Sequence, residues 1–165
     1  ERAREVIGPL LASVDLLVGN EEDAQNVLGI SAAATDVTRG QVEHAAYESV
    51  ARQIHEQYGP RWVAITLRES ESASVNHWSG CLLAEGSFHQ SRRYTIQVVD
   101  RVGAGDAFCG GLIHGLLSGQ APAEALEFAV AASCLKHSIP GDFNKVTAEE
   151  VRRLSGGDAS GRVVR

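Results

Sequence analysis

Asp100-Arg101-Val102-Gly103-Ala104-Gly105-Asp106-Ala107-Phe108 is the stretch on which the reading of this chain turns. It follows an apolar strand pattern, Tyr94 to Val99, and opens an apolar helix pattern, Gly103 to Leu117. Glycines at 103 and 105 remove side chains, so successive backbone amides can approach an anion, and the helix dipole adds a positive end. Such a turn is a phosphate cradle. Asp106, just beyond the glycines, stands where a carboxylate accepts a proton from an attacking hydroxyl. The same spacing also suits a plain tight turn in which Asp106 only charges the first helical turn, and spacing alone does not choose. A dinucleotide fingerprint fits less well, because Phe108 occupies the third glycine position of G-x-G-x-x-G and the strand comes late in the chain, which leaves an NAD-dependent oxidoreductase as the weaker rival. A Walker A loop, G-x-x-x-x-G-K-[ST], does not occur.

Outward from that turn, helix and strand patterns alternate. Apolar residues at Ala3, Val6, Ile7, Leu10 and Leu11 predict a helix from Arg2 to Ala12, and Asp15 to Val18 a short strand ending in Gly19-Asn20. Asn20 is placed to cap a helix that runs to Leu28 and stops at Gly29. Small and polar residues from Ile30 to Gly40 read as a loop, Gln41 to Tyr58 as a long amphipathic helix, and Trp62 to Leu67 as a strand buried on both faces. Ser74 to Trp78 and Cys81 to Glu85 are expected to form a hairpin around Ser79-Gly80. Pro122 to His137 and Ala148 to Leu154 complete the helices, and the alternation gives an α/β architecture.

The 165 residues carry 15 Lys and Arg against 21 Asp and Glu, a net charge of −6, with 44% hydrophobic and 22% charged residues. That composition excludes disorder, predicts one domain over residues 1–165, and argues against nucleic acid and anionic membrane as main partners. No run approaches the roughly 20 apolar residues of a membrane span, and the charged first residues do not form a signal-peptide core, so a cytoplasmic protein is expected. Cys81, Cys109 and Cys134 have no C-x-x-C spacing and read as buried reduced thiols. His44, His55, His77, His89 and His114 lack metal-ligand spacing. The chain contains no Met and opens at Glu1, which suggests a piece of a longer product.

The glycine turn resembles the D-T-x-G-A-G-D-x-F signature of the ribokinase or PfkB carbohydrate kinases. Three further stretches agree in order: Val18-Gly19-Asn20-Glu21-Glu22-Asp23-Ala24, Val63-Ala64-Ile65-Thr66-Leu67-Arg68-Glu69-Ser70, and Lys136-His137-Ser138-Ile139-Pro140-Gly141-Asp142-Phe143-Asn144. The last two, with the D-R-V-G-A-G-D form, are similar to the 2-keto-3-deoxygluconate kinase branch. The resemblance covers nearly the whole chain, but only the C-terminal half of such a kinase. It implies a ribokinase-like, Rossmann-like three-layer α/β/α sandwich, here its nucleotide-binding half, without the N-terminal lid and most of the sugar-recognising residues.

It also implies transfer of the γ-phosphoryl group of ATP to a sugar hydroxyl, in a protein competent only when joined to the rest; a stand-alone nucleotide-binding or interaction module is the alternative. By resemblance Asp106 is the catalytic base, and the amides of Gly103, Ala104 and Gly105 form the anion hole. Asn20 and Asp23 match N-x-x-E, a Mg²⁺ and phosphate-orienting motif, with Asp in place of Glu; a helix cap is the plain alternative. Thr66 stands where the family has a nucleotide-contacting T-L-G, with Arg68 in place of the glycine, either on phosphate or at a solvated strand end. Lys136 and His137 fall on one wall of the adenine pocket, or else on a surface helix end. Asp100 and Val102, with the loop around Ser138 to Gly141, fall where relatives bind a monovalent cation such as K⁺, mainly through carbonyls. Arg101, where most members have Thr, is a candidate to hold the carboxylate of an acidic sugar, unless it faces solvent or pairs with Asp100. The expected partners are ATP and a small sugar or sugar acid, ribose and fructose included as neutral alternatives, and a homodimer is left open.

Overall fold

A computed structural model describes residues 2–30 and 39–157. The chain divides into two compact units, residues 1–67 with 80–90, and residues 68–79 with 91–165. The strands β2 (Trp62–Ser70) and β3 (Val75–Ala84) each contribute to both. The architecture is α/β with a mixed sheet, and among the described residues no helix is long and apolar enough to cross a membrane.

In the first unit, α1 (Arg2–Leu11) leads into β1 (Leu16–Asn20), α2 (Glu21–Asp23), a π-helical turn (Ala24–Leu28), α3 (Arg39–Tyr58), β2, β3 and β4 (Ser87–Gln90). Gly29 ends the π turn at φ +67, a left-handed value that its missing Cβ permits. The loop expected at 30–40 lies mostly outside the described residues. β1 runs parallel to β2, with Leu16 opposite Trp62 and Asn20 opposite Thr66. The continuous apolar run fulfils its reading: Val63, Ala64 and Ile65 are all buried, so both faces of β2 are covered. Val63, Ile65 and Leu67 share a core with Ile54, Val50, Leu28, Cys81 and Leu83.

The hairpin expected around Ser79-Gly80 is a correction. β3 is a single strand of ten residues running straight through that dipeptide, and Ser79 is itself buried. The turn falls instead at Glu85-Gly86, where φ is +51 and +81 and Ala84 pairs with Ser87. Two consecutive positive φ values match the right-handed twist of the flanking strands. Gly80 adopts no such value.

In the second unit, β5 (Tyr94–Gln97) pairs antiparallel with the start of β3, Val75 opposite Gln97 and Trp78 opposite Tyr94. Then come α4 (Ala104–Leu117), α5 (Pro122–Lys136) and α6 (Ala148–Ser155). α4 and α5 pack at close range through small residues: a Cβ on Gly111 would lie 3.0 Å from Ala129 Cα, and one on Gly115 2.8 Å from Ala125 Cβ. α6 starts at a reciprocal cap, Thr147 with Glu150, and buries Val151 against Phe128, Ala131 and Ala132. The buried face of α4, with Phe108 and Leu112 at 0% exposure, holds the start of that helix in place.

Candidate active site

The glycine turn meets the helix as its sequence requires. Gly103 sits at φ +78 immediately before α4, and a Cβ there would collide with the Asp142 carbonyl, so no other residue type fits without rearrangement. Gly105 differs. Its φ is ordinary, and a Cβ on it would meet nothing within 4 Å, so neither backbone strain nor protein packing calls for glycine there. Close approach by a bound group is the remaining physical use of a missing side chain at a helix start.

The amides of the turn are correspondingly unspent. Among the described residues those of Gly103, Gly105 and Asp106 have no acceptor, and Ala104 makes only a long bond to the Arg101 carbonyl, 3.3 Å. Ala107 is the first to make a short helical bond, 2.9 Å to Gly103 O. Ser133 of α5 donates its hydroxyl to the Ala104 carbonyl at 2.9 Å, a buried bond that fixes the helix start. Asp106 is exposed in the first turn, without a protein donor on its carboxylate among the described residues.

Asp106 also lines a cavity of about 540 Å³ with Gly103, Gly110 and His114 of α4. Phe128 and the 142–144 segment close its other side. Asp142 and Asn144 bring polar groups to this cavity, yet neither is singled out by the sequence reading. Their signal was the Gly141-Asp142-Phe143-Asn144 stretch itself, which carries no spacing rule that distinguishes a lining segment from a loop.

Behind the turn, two loops are stitched together. The Asp100 carboxylate accepts from the amides of Val102, 3.0 Å, and Gly141, 2.7 Å, one on each oxygen. Those two bonds hold its pKa below the usual aspartate value; desolvation opposes them, and the charge of Lys136 adds a lesser push downward. The His137 carbonyl accepts from both Val99 and Asp100, 2.8 and 3.1 Å. Arg101 does not pair with Asp100; its Nη2 donates to the Ala73 carbonyl at 3.1 Å, and the residue is exposed.

Lys136 and His137 are not on a surface helix end. Lys136 is 0% exposed, and its Nζ donates to the Ile139 carbonyl at 3.0 Å. His137 is buried, donates from Nδ1 to the Ser133 carbonyl at 2.8 Å, and meets Trp78 edge to face with ring centroids 4.9 Å apart. Burial lowers its pKa, only partly offset by the Ser133 bond, and the charges of Lys136, Arg101 and Arg68 push the same way. Arg68 is exposed and has no ion pair among the described residues.

Asn20, Asp23 and Thr66 belong to the first unit. Asn20 Oδ1 accepts from the Asp23 amide at 2.9 Å, and Asp23 Oδ2 accepts from the Asn20 amide at 3.0 Å, a reciprocal helix cap. Thr66 lies opposite Asn20 on β2, with its hydroxyl 3.4 Å from the Gly19 carbonyl. Cys81 and Cys134 are buried free thiols, whereas Cys109 is partly exposed. Among the described residues no group of three or more His, Cys, Asp or Glu side chains is arranged to hold a metal ion.

The pfkB family carbohydrate kinase pattern matches residues 1–148. Among curated proteins, the 2-dehydro-3-deoxygalactonokinase of Haloferax volcanii is 28% identical over 158 residues, 95% of this chain and 43% of its own length. Among solved structures, the 2-dehydro-3-deoxygluconokinase of Thermotoga maritima superposes with a TM-score of 0.86 at 47% identity, over 94% of this chain and 46% of that one. A PfkB family carbohydrate kinase from Listeria grayi gives a TM-score of 0.73 at 34% identity, over 89% and 42%. The chain thus spans less than half the length of each of these relatives. Motifs, fold and similarity agree that the chain belongs to the pfkB family of carbohydrate kinases.

Proposed function

We propose that this chain supplies the nucleotide-binding and proton-accepting part of a kinase that transfers the γ-phosphoryl group of ATP to a hydroxyl of a sugar acid, 2-keto-3-deoxygluconate. Gly105 carries the reading: a glycine that neither φ nor packing demands, among amides without protein acceptors, beside a carboxylate that lines a cavity. The acidic acceptor is supported by the relatives, since the Thermotoga maritima protein is named for 2-dehydro-3-deoxygluconate and is 47% identical.

In this reading the amides of Gly103, Ala104 and Gly105 face the charge that develops on the transferred group, where fixed donors act without reorganising. Asp106 takes the proton of the acceptor hydroxyl as the oxygen bonds to the γ-phosphorus and the bond to the ADP oxygen breaks. A carboxylate suffices as base when transfer is loose and the proton leaves late. Mg²⁺, when bound with the nucleotide, neutralises phosphate charge. Asp23, whose Oδ1 is not used in the cap, is the residue that would hold that ion, and Asn20 would orient phosphate. Thr66 and Arg68 serve the nucleotide, and Arg101, with one N–H on Ala73, turns its remaining donors to the acceptor carboxylate. Lys136 and His137 support the adenine wall from behind, as positioning residues, because both side chains are buried.

Calorimetry with Mg·ATP tests the site. The chain is expected to bind, and Gly105→Val to bind about tenfold more weakly, a loss of ~1.4 kcal/mol. Its melting temperature should stay nearly unchanged, because a Cβ at this position meets no neighbouring heavy atom within 4 Å. Equal affinity in both forms, or no binding in either, overturns the reading of the turn. In a kinase of the relatives' full length, a lower kcat/KM for 2-keto-3-deoxygluconate than for ribose or fructose overturns the acceptor.

A further inference from the structure

Asn76 is 0% exposed near the start of β3, and neither the oxygen nor the nitrogen of its side-chain amide has a hydrogen-bond partner among the described residues. Exchanging the two amide atoms changes nothing, because both lack one. Trp78, two residues on, is buried with its indole Nε1–H equally unpartnered. The register against β5 is unbroken here, Asn76 opposite Ile96 and Trp78 opposite Tyr94, so alternation puts both side chains on one face of the strand, about 6.7 Å apart at twice the rise per residue. That face meets the end of α5, where the Trp78 ring stands edge to face with His137, centroids 4.9 Å apart. On the opposite face His77 is fully used: its ring nitrogens reach Thr95 Oγ1 at 3.1 Å and Glu71 at 3.2 Å.

A buried amide or indole N–H without a partner costs at least as much as a lost hydrogen bond, and native folds pair nearly all such groups with protein or ordered water. Asn76 and Trp78 are complementary, since the amide oxygen accepts and the indole donates, yet they do not bond to each other. One oxygen placed between them, with a bond of roughly 2.8 Å on each side, spans about 5.6 Å, which suits neighbours on one strand face. Neither group is charged, and a donor beside an acceptor calls for a molecule that both accepts and donates, which an ion does not do. We infer that β3 holds an internal water site, a buried water that bridges the Asn76 amide and the Trp78 indole and accepts from the indole N–H. The site is separate from the glycine turn and independent of the nucleotide reading. Through Trp78 against His137, whose carbonyl accepts from Val99 and Asp100, it braces the segment that leads into that turn.

The test is NMR on the whole isotope-labelled chain, reading magnetisation transfer from water. In the wild-type chain both the Asn76 side-chain amide and the Trp78 indole proton should show cross-peaks at the water frequency, with the sign of a molecule that tumbles with the protein. Asn76→Leu, similar in size and apolar, should abolish the indole cross-peak and lower the melting temperature by about 2 to 4 °C, because it leaves the indole without its bridge. Trp78→Phe should weaken the cross-peak of the Asn76 amide, and the double variant should lose less than the two single variants together. A wild-type chain without cross-peaks on either group overturns the inference, and so does a cross-peak on one group alone, which is not a bridge. A melting temperature raised by Asn76→Leu also overturns it, since an apolar side chain relieves an amide that is buried dry. An indole cross-peak that persists in Asn76→Leu comes from another source, such as an exchanging hydroxyl, and overturns it too. Should Asn76→Leu not fold, the wild-type cross-peaks decide.

Discussion

Two helices of this chain follow a strand, α2 at once and α4 after the 98–103 segment, and their first turns are built in opposite ways. At Asn20 the side chains of Asn20 and Asp23 exchange bonds with each other's amides, so the helix end satisfies itself. At Gly103 the first position has no side chain, the Asp106 carboxylate accepts no bond from the turn, and the amides of Gly105 and Asp106 have no acceptor among the described residues. The first is a cap that stabilises with or without a ligand. The second is held from outside by α5 and the segment at Gly141, through Ser133 on Ala104 and Asp100 on Gly141. A helix end held by its neighbours leaves its donors for chemistry.

The sharpest way to break this contrast is Asp106→Asn in a kinase of the relatives' full length. Turnover is expected to fall by a factor of about 10² to 10⁴, the usual contribution of a positioned base, while ATP affinity stays within about threefold. Loss of ATP binding to the same degree as turnover would make Asp106 a second cap like Asn20. Gly103→Ala comes next. A positive φ and the carbonyl of Asp142 both oppose a Cβ, so urea unfolding should show a loss of about 2 to 3 kcal/mol. An unaffected midpoint would mean that the turn relaxes easily and is not held by the 141–142 segment.

On the other side of the comparison, Asn20→Ala removes one acceptor of a side-chain cap and should cost about 1 kcal/mol of stability. The effect on the melt should exceed any effect of Gly105→Val, and the ranking should reverse for ATP affinity. If Asn20→Ala instead weakens Mg·ATP as strongly as Gly105→Val and leaves the melt alone, the cap is secondary to a phosphate-orienting role.

The legibility of these regions in the sequence follows the range of the forces that make them. The glycine turn, the Asn20 cap and the Gly29 stop are local: each depends on residues within one helical turn, and each could be read directly. The hairpin failed because Ser79-Gly80 is a better turn dipeptide by composition than Glu85-Gly86, yet Ser79 is buried within a long strand. Of the two readings of Lys136, the surface helix end fails for the same kind of reason. A lysine in the last helical turn reads as a solvated cation, and only the packing of α5 and the return of the 138–141 loop put it out of reach of water. Gly105 could be recognised as a glycine, but not as one that packing does not require, a distinction that exists only once its surroundings are known.

His137 gives the smallest effect and tests the packing behind the turn. Its pKa is lowered in the folded chain, first by burial, with Lys136, Arg101 and Arg68 adding unfavourable charge and the Ser133 carbonyl partly compensating. The unfolded chain therefore binds a proton more readily than the folded one below the ordinary histidine value of 6.5. Stability is full above that pH and is lost as pH falls through the interval between 6.5 and the lower folded value. Urea unfolding at a series of pH values between about 7 and 5 should show this slope in the wild-type chain and a shallower one in His137→Gln, whatever the absolute stability of the variant. An identical slope in both would assign the acid sensitivity to other histidines and would mean that the ring beside Trp78 takes up its proton as easily in the fold as in water.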